Sequence, residues 1–92
     1  AESPELVLMT KNIKLIDTMV LGKKEPHHLK MIFDTGKHKI PAMFWGQADR
    51  LKKDISIGKK YDILYNMSRN YFNGNVTKQI IIKEMLPSRG EI

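Results

Sequence analysis

The chain has 92 residues, 41% of them hydrophobic and 28% charged, with 16 Lys and Arg against 10 Asp and Glu and a net charge of +6. Such a length holds one core and one domain, and the composition is that of a folded globular chain, which excludes disorder. No apolar run approaches the roughly 18 residues of a spanning helix, so a membrane is not an expected partner. The absence of cysteine excludes a disulfide framework and any thiolate metal site, and the cytoplasm is the default compartment. The positive charge predicts attraction to a polyanion, whether nucleic acid, an acidic membrane surface or an acidic protein partner, and charge alone does not choose among them. Lys23-Lys24, Lys37 with Lys39, Lys52-Lys53 and Lys59-Lys60 are spread along the chain, as expected of cations decorating a folded surface. The opening Ala1-Glu2-Ser3-Pro4 carries no initiator Met, as expected of an excised piece or a processed product of a larger protein.

In chain order, residues 12–21 read as a long first strand. Ile13, Leu15, Met19 and Leu21 alternate, and the out-of-phase Ile16 marks a bulge. Residues 22–26 have turn chemistry. A second strand follows, with Leu29, Met31 and Phe33 alternating against His28, Lys30 and Ile32. Asp34-Thr35-Gly36-Lys37 reads as a hairpin turn leading to a third strand over residues 39–45. In residues 46–54, Ala48, Leu51 and Ile55 at i, i+3 and i+7 predict one short amphipathic helix. Tyr61, Ile63, Tyr65 and Met67 form a fourth strand. Val76, Lys78, Ile80 and Ile82 form a fifth after Asn73-Gly74, and residues 87–92 read as a frayed tail. Three strands, a helix and two strands without a βαβ repeat predict a closed antiparallel barrel. The expected class is all-β: a five-stranded OB-fold barrel with one short helix between strands three and four, its core over residues 11–86. An SH3-like barrel or another five-stranded roll is the alternative, and the helix before strand four favours OB.

Two motifs raise chemistry. Asp34-Thr35-Gly36, after apolar Met31 to Phe33, matches the Asp-Thr-Gly of dimeric aspartic proteases, whose paired carboxylates share a proton. A plain turn is favoured. Lys37 stands where such enzymes carry a small residue, a cation there would disturb proton sharing, and Ile80 to Ile82 runs into Lys83 rather than glycine. His27, His28 and His38 suggest a metal site, but neighbouring strand residues point to opposite faces, so His27 and His28 cannot both turn to one ion. No Gly-rich phosphate loop, Ser-His-Asp set or carboxylate cluster occurs, and no catalytic residue or metal ligand is assigned.

A binding reading is better supported. With Leu29, Met31 and Phe33 inward, His28 and Lys30 face outward on strand two, which with strand three makes the usual OB binding face. On strand three the expected register buries Met43 and Trp45 and turns Phe44 outward. There a ring could stack a base for about 1–3 kcal/mol beside cations for phosphate. A one-residue slip would exchange Phe44 and Trp45. Residues 69–76 are expected as a loop flanking the groove, with rings on nucleic acid or capping the barrel. The expected nucleic-acid contacts are His28, Lys30, Lys39, Phe44, Arg69, Asn70, Tyr71, Phe72 and Lys78.

Gly58-Lys59-Lys60-Tyr61-Asp62-Ile63, Asn70-Tyr71-Phe72-Asn73-Gly74 and Gln79-Ile80-Ile81-Ile82-Lys83 resemble the OB domain of RecJ-type single-stranded-DNA-specific exonucleases. The Asn-x-aromatic-x-Gly followed by Gln-x-x-Ile is the most specific part. Ser3-Pro4-Glu5, His28-Leu29-Lys30 and Trp45-Gly46 agree in order, so the resemblance covers nearly the whole chain. His28 and Lys30 match the family's His-Leu-Lys and Gly74 its loop glycine, whereas Phe44 stands where the family tends to have a small residue. The resemblance implies a 5′ to 3′ exonuclease acting on single-stranded DNA in repair and recombination. Manganese or magnesium would be held by Asp-His-His motifs in separate catalytic domains, none of which is in this sequence, since His27-His28 follows Pro26. The expectation is therefore a monomeric, non-catalytic module without a cofactor of its own, gripping single-stranded DNA for the parent's catalytic domains. A protein-interaction module for an acidic partner is the alternative, because the same lysines serve any polyanion.

Overall fold

Strand β1 (Leu8–Leu21) is long because it serves two neighbours. Its first half pairs antiparallel with β4 (Lys60–Phe72) and its second half with β2 (His28–Asp34). The computed structural model describes residues 6–89, and the side chains of residues 70, 71, 72 and 77 lie outside that description. A register shift between Leu15 and Asp17 leaves Ile16 as the extra residue of a bulge, which bends the strand from one partner to the other. A second irregularity, between Thr10 and Ile13, holds Asn12 at φ 61, a left-handed conformation that asparagine tolerates. The strand begins ahead of the expected residue 12 because Leu8 and Thr10 find partners in Tyr65 and Ile63.

The β2 to β3 (Lys39–Phe44) connection is built from its own side chains. Asp34 Oδ1 accepts the Gly36 N–H at 2.8 Å, and Thr35 Oγ1 accepts the His38 N–H at 3.0 Å. The Thr35 N–H donates to the His38 carbonyl at 2.9 Å. Gly36, at φ 91, supplies the reversal. Asp-Thr-Gly is thus a hairpin turn whose carboxylate is engaged by the chain's own amide. The strands close into a barrel in the order β1-β2-β3-β5-β4. The β3 to β5 seam is parallel and short, Ala42 beside Ile80 and Met43 beside Ile81. It begins just past Pro41, which has no N–H to offer a ladder.

The helix expected over residues 46–54 is only a 3-10 turn, Ala48–Lys52. Gln47 makes no side-chain cap bond, and so short a segment does not recover the cost of nucleating an α-helix. Its amphipathic character holds: Ala48 and Ile55 are buried and Leu51 packs against the core. The segment expected as a loop over residues 69–76 is mostly strand. β4 and β5 (Asn75–Pro87) stay paired from Tyr61 opposite Pro87 to Phe72 opposite Asn75. Asn73 at φ 49 and Gly74 at φ 77 give the two positive φ values of a tight hairpin turn. β4 and β5 therefore run beyond the barrel as a two-stranded ribbon. At the other end the expected tail from residue 87 is tied down, Ser88 Oγ donating to Asp62 Oδ1 at 2.6 Å and its N–H to the Lys60 carbonyl.

The core gathers Ile13 and Leu15 from β1, Leu29, Met31 and Phe33 from β2, Ala42 and Phe44 from β3, Tyr61 and Ile63 from β4, and Ile80, Ile82 and Met85 from β5, with Ile55 beneath. Two polar devices hold the β3–β4 connection over the barrel end. The fully buried Tyr61 accepts the Ser56 N–H at 2.6 Å on its hydroxyl and donates to the Asp54 carbonyl at 3.2 Å. Arg50 grips Asp54 with two nitrogens, at 3.1 and 2.6 Å, reaches Glu84 Oε1 at 2.6 Å and the Met85 carbonyl at 2.7 Å, and lies 5.3 Å from the centroid of the Phe44 ring. One guanidinium thereby ties the connection to β5.

Removing the Tyr61 hydroxyl leaves the Ser56 amide unpaired, so Tyr61→Phe should lower unfolding free energy by about 1–3 kcal/mol in urea melts. Arg50→Met should lower it by a similar amount, about 1–3 kcal/mol, and should also change the acid profile. The Arg50 hydrogen bonds hold the Asp54 and Glu84 carboxyls below their ordinary values. With folded pKa values depressed, their contribution is present above about pH 5 and is lost as pH falls through the folded values. The wild type should therefore lose more stability than Arg50→Met between pH 5 and about pH 3, and parallel profiles would contradict the clasp.

Candidate nucleic-acid interface

The outer face follows from the β2–β3 register. Because Asp34 stands opposite Lys39, Leu29 stands opposite Phe44, so both point into the core. Their neighbours point out. This gives the outward rows Lys30 with Met43 and Ile32 with Pro41, with Lys39 and Asp34 closing the turn end, and just past Leu29 and Phe44 the ring of His28 meets that of Trp45. The rows extend sideways, since Lys30 is also in register with Met19 of β1, and Met43 lies beside Ile81 of β5.

Here the sequence-based register is corrected. Phe44 is 4% exposed and belongs to the core, where Arg50 covers it, whereas Trp45 is 51% exposed. Met43 is buried although it shares the outward row of Lys30, so Ala42, Met43 and Phe44 are buried in succession. A strand buried on both faces gives no alternation from which to read its register. The ring at this face is therefore that of Trp45.

Trp45 is held by its neighbours. Its ring meets that of His28 at 4.8 Å between centroids, inclined by 76°. His28 Nδ1 in turn accepts the Gly46 N–H at 2.9 Å, which commits that lone pair and leaves the ring proton of neutral imidazole on Nε2. Gly46 sits at φ 71, and a Cβ there would lie 3.7 Å from Pro26. The aromatic-Gly pair thus ends β3 and orients the imidazole in one turn. Lys30 and Lys39 are exposed on the same face.

The remaining expected contacts sit on the ribbon. Arg69 and Lys78 stand directly opposite each other, both exposed. By alternation they share the ribbon side of Met67 and Ile80, the side that continues the barrel interior, and Met67 and Val76 on that side are half exposed. The side chains of Asn70, Tyr71 and Phe72 lie outside the described residues. The structure thus sets His28 and Lys30 in adjacent rows of one face, with Lys39 at the turn end of that face, and places Arg69 with Lys78 as a second group. Sequence reasoning missed Met19 and Ile81 as members of the outer face. Among the described residues no three His, Cys, Asp or Glu side chains converge as a metal ion would require, and His28 spends one nitrogen on Gly46.

The chain matches a family model, RecJ OB domain, over residues 1–84. No curated protein matches it. Among solved structures it is similar to the crystal structure of the mitochondrial single-stranded DNA binding protein Rim1 from S. cerevisiae, with a TM-score of 0.68 at 10% identity, covering 91% of this chain and 96% of that one. At that identity the likeness is one of fold. The barrel order, the Trp45-Gly46 turn and a family match spanning nearly the whole chain agree, and the chain belongs to the RecJ OB domain family.

Proposed function

We propose that this chain is a single-stranded-DNA-binding module of a larger 5′ to 3′ exonuclease, holding the strand for catalytic domains outside these residues. The observation that carries the reading is the outer β2–β3 face, where His28 packs on a half-exposed Trp45, Lys30 stands one row away and Lys39 lies at the far, turn end of the same face, in a chain of net charge +6. Cations neutralise phosphates while an aromatic face takes bases, which is how single strands are held without sequence preference. Family membership and the fold shared with a protein named for single-stranded DNA binding support the reading. Arg69 and Lys78 form a second phosphate contact: like charges opposed across a ribbon repel, and an anion between them relieves that repulsion. The grip is sequence-independent, because phosphate contacts carry no base information. Hydrolysis, with its manganese or magnesium, belongs to the parent's catalytic domains, and the parent acts in cytoplasmic DNA repair and recombination. The module itself works as a monomer.

Binding of labelled oligo-dT, followed by anisotropy, should weaken with salt at a log-log slope of about −2, as for three neutralised phosphates. Lys30→Ala should reduce that slope by about 0.7 and Lys39→Ala likewise, because each removes one phosphate contact. An acidic peptide of equal charge should bind more weakly, since it offers no bases. Equal binding of the two would favour an acidic protein partner instead.

A further inference from the structure

We infer that Trp45 is the base-stacking anchor of this module and that His28 is its positioning residue, a step that rests on the single-strand reading above. An indole that is 51% exposed forgoes burial that Phe44, its neighbour in sequence, obtains in full. Yet it is not left loose. The imidazole edge-to-face contact at 76° restrains the ring, and the Gly46 amide restrains the imidazole. A ring fixed before the ligand arrives loses little rotamer entropy on binding. Whichever ring supplies the edge, this T-shaped contact leaves at least one indole face clear of the imidazole. Lys30 lies two residues from His28 on the same side of β2, so a cation stands one row from the ring. Met19, 57% exposed, is in register with Lys30 and adds a polarizable side chain to the same surface. A flat aromatic face, an adjacent cation and a flexible thioether fit an unpaired base with its phosphate. They do not fit a phosphate alone, which would have no use for the indole.

Trp45 is the one tryptophan of the chain, so intrinsic fluorescence reports on this ring directly. Titrating the chain with oligo-dT and with an abasic oligonucleotide of the same length separates bases from backbone. Oligo-dT should quench Trp45 and bind about 5- to 150-fold more tightly than the abasic strand, the range of one stacked base. Trp45→Ala should abolish that preference while leaving abasic binding and the circular dichroism spectrum unchanged, and Trp45→Phe should retain most of it. If dT and abasic strands bind the wild type equally, or if Trp45→Ala weakens both to the same extent, the anchor assignment is wrong and the phosphate grip stands. If neither strand binds, the single-strand reading fails with it. For His28, the free protein's indole anisotropy should fall in His28→Ala and recover in His28→Phe, which restores a ring edge. No fall in the Ala variant would remove the positioning role.

Discussion

The closure of the β2–β3 hairpin governs the surface of this domain. Asp34 and Thr35 hold the reversal through their own side chains, and that turn sets Asp34 opposite Lys39. Every later pair on the two strands follows from it, so Phe44 is delivered to the core and Trp45 to solvent. Slipping this register by one residue would bury the indole, expose Phe44 and strand the Arg50 guanidinium without its ring. A motif shared with the catalytic Asp-Thr-Gly of proteases thus has a geometric task, and the composition of the outer β2–β3 face depends on how it performs it.

The cations divide by role. Arg50 is mostly buried and bonded to Asp54, Glu84 and the Met85 carbonyl, so it ties the β3–β4 connection to β5 and has little left for a ligand. Lys30 and Lys39 stand exposed on the outer face, and Arg69 and Lys78 oppose each other on the ribbon. Net charge counts all of these alike. Only their partners separate structural cations from those available to phosphate.

Much of the fold was legible because four strands alternate. Ile13 and Leu15, Leu29, Met31 and Phe33, Tyr61 and Ile63, and Ile80 and Ile82 all enter the core as their spacing predicts, and Ile16 marks the bulge where the alternation slips. β3 was not legible in the same way, since Ala42, Met43 and Phe44 are all buried and hydrophobicity cannot say which side each faces. Counting through the turn would have resolved it: four residues between Asp34 and Lys39 place Phe44 opposite Leu29. The ribbon was read as a loop because Asn70, Asn73, Gly74 and Asn75 are residues of turns. Yet Asn73-Gly74, visible in the sequence, permits pairing to within two residues of the reversal. The Arg50 clasp had no local signal at all, since Glu84 and Met85 lie far along the chain and meet Arg50 only when β5 closes the barrel.

The outer β2–β3 face has a rival surface among the described residues on the outer side of β1, β4 and β5, where Met9, Leu64 and Leu86 line a shallow apolar hollow. Mapping backbone amide and indole NMR shifts of the chain during titration with oligo-dT distinguishes them most directly. Binding at the proposed face predicts the largest changes at His28, Lys30, Lys39 and the Trp45 indole N–H, with Met9, Leu64 and Leu86 unmoved. Shifts concentrated at Met9, Leu64 and Leu86, with the Trp45 indole unchanged, would contradict it.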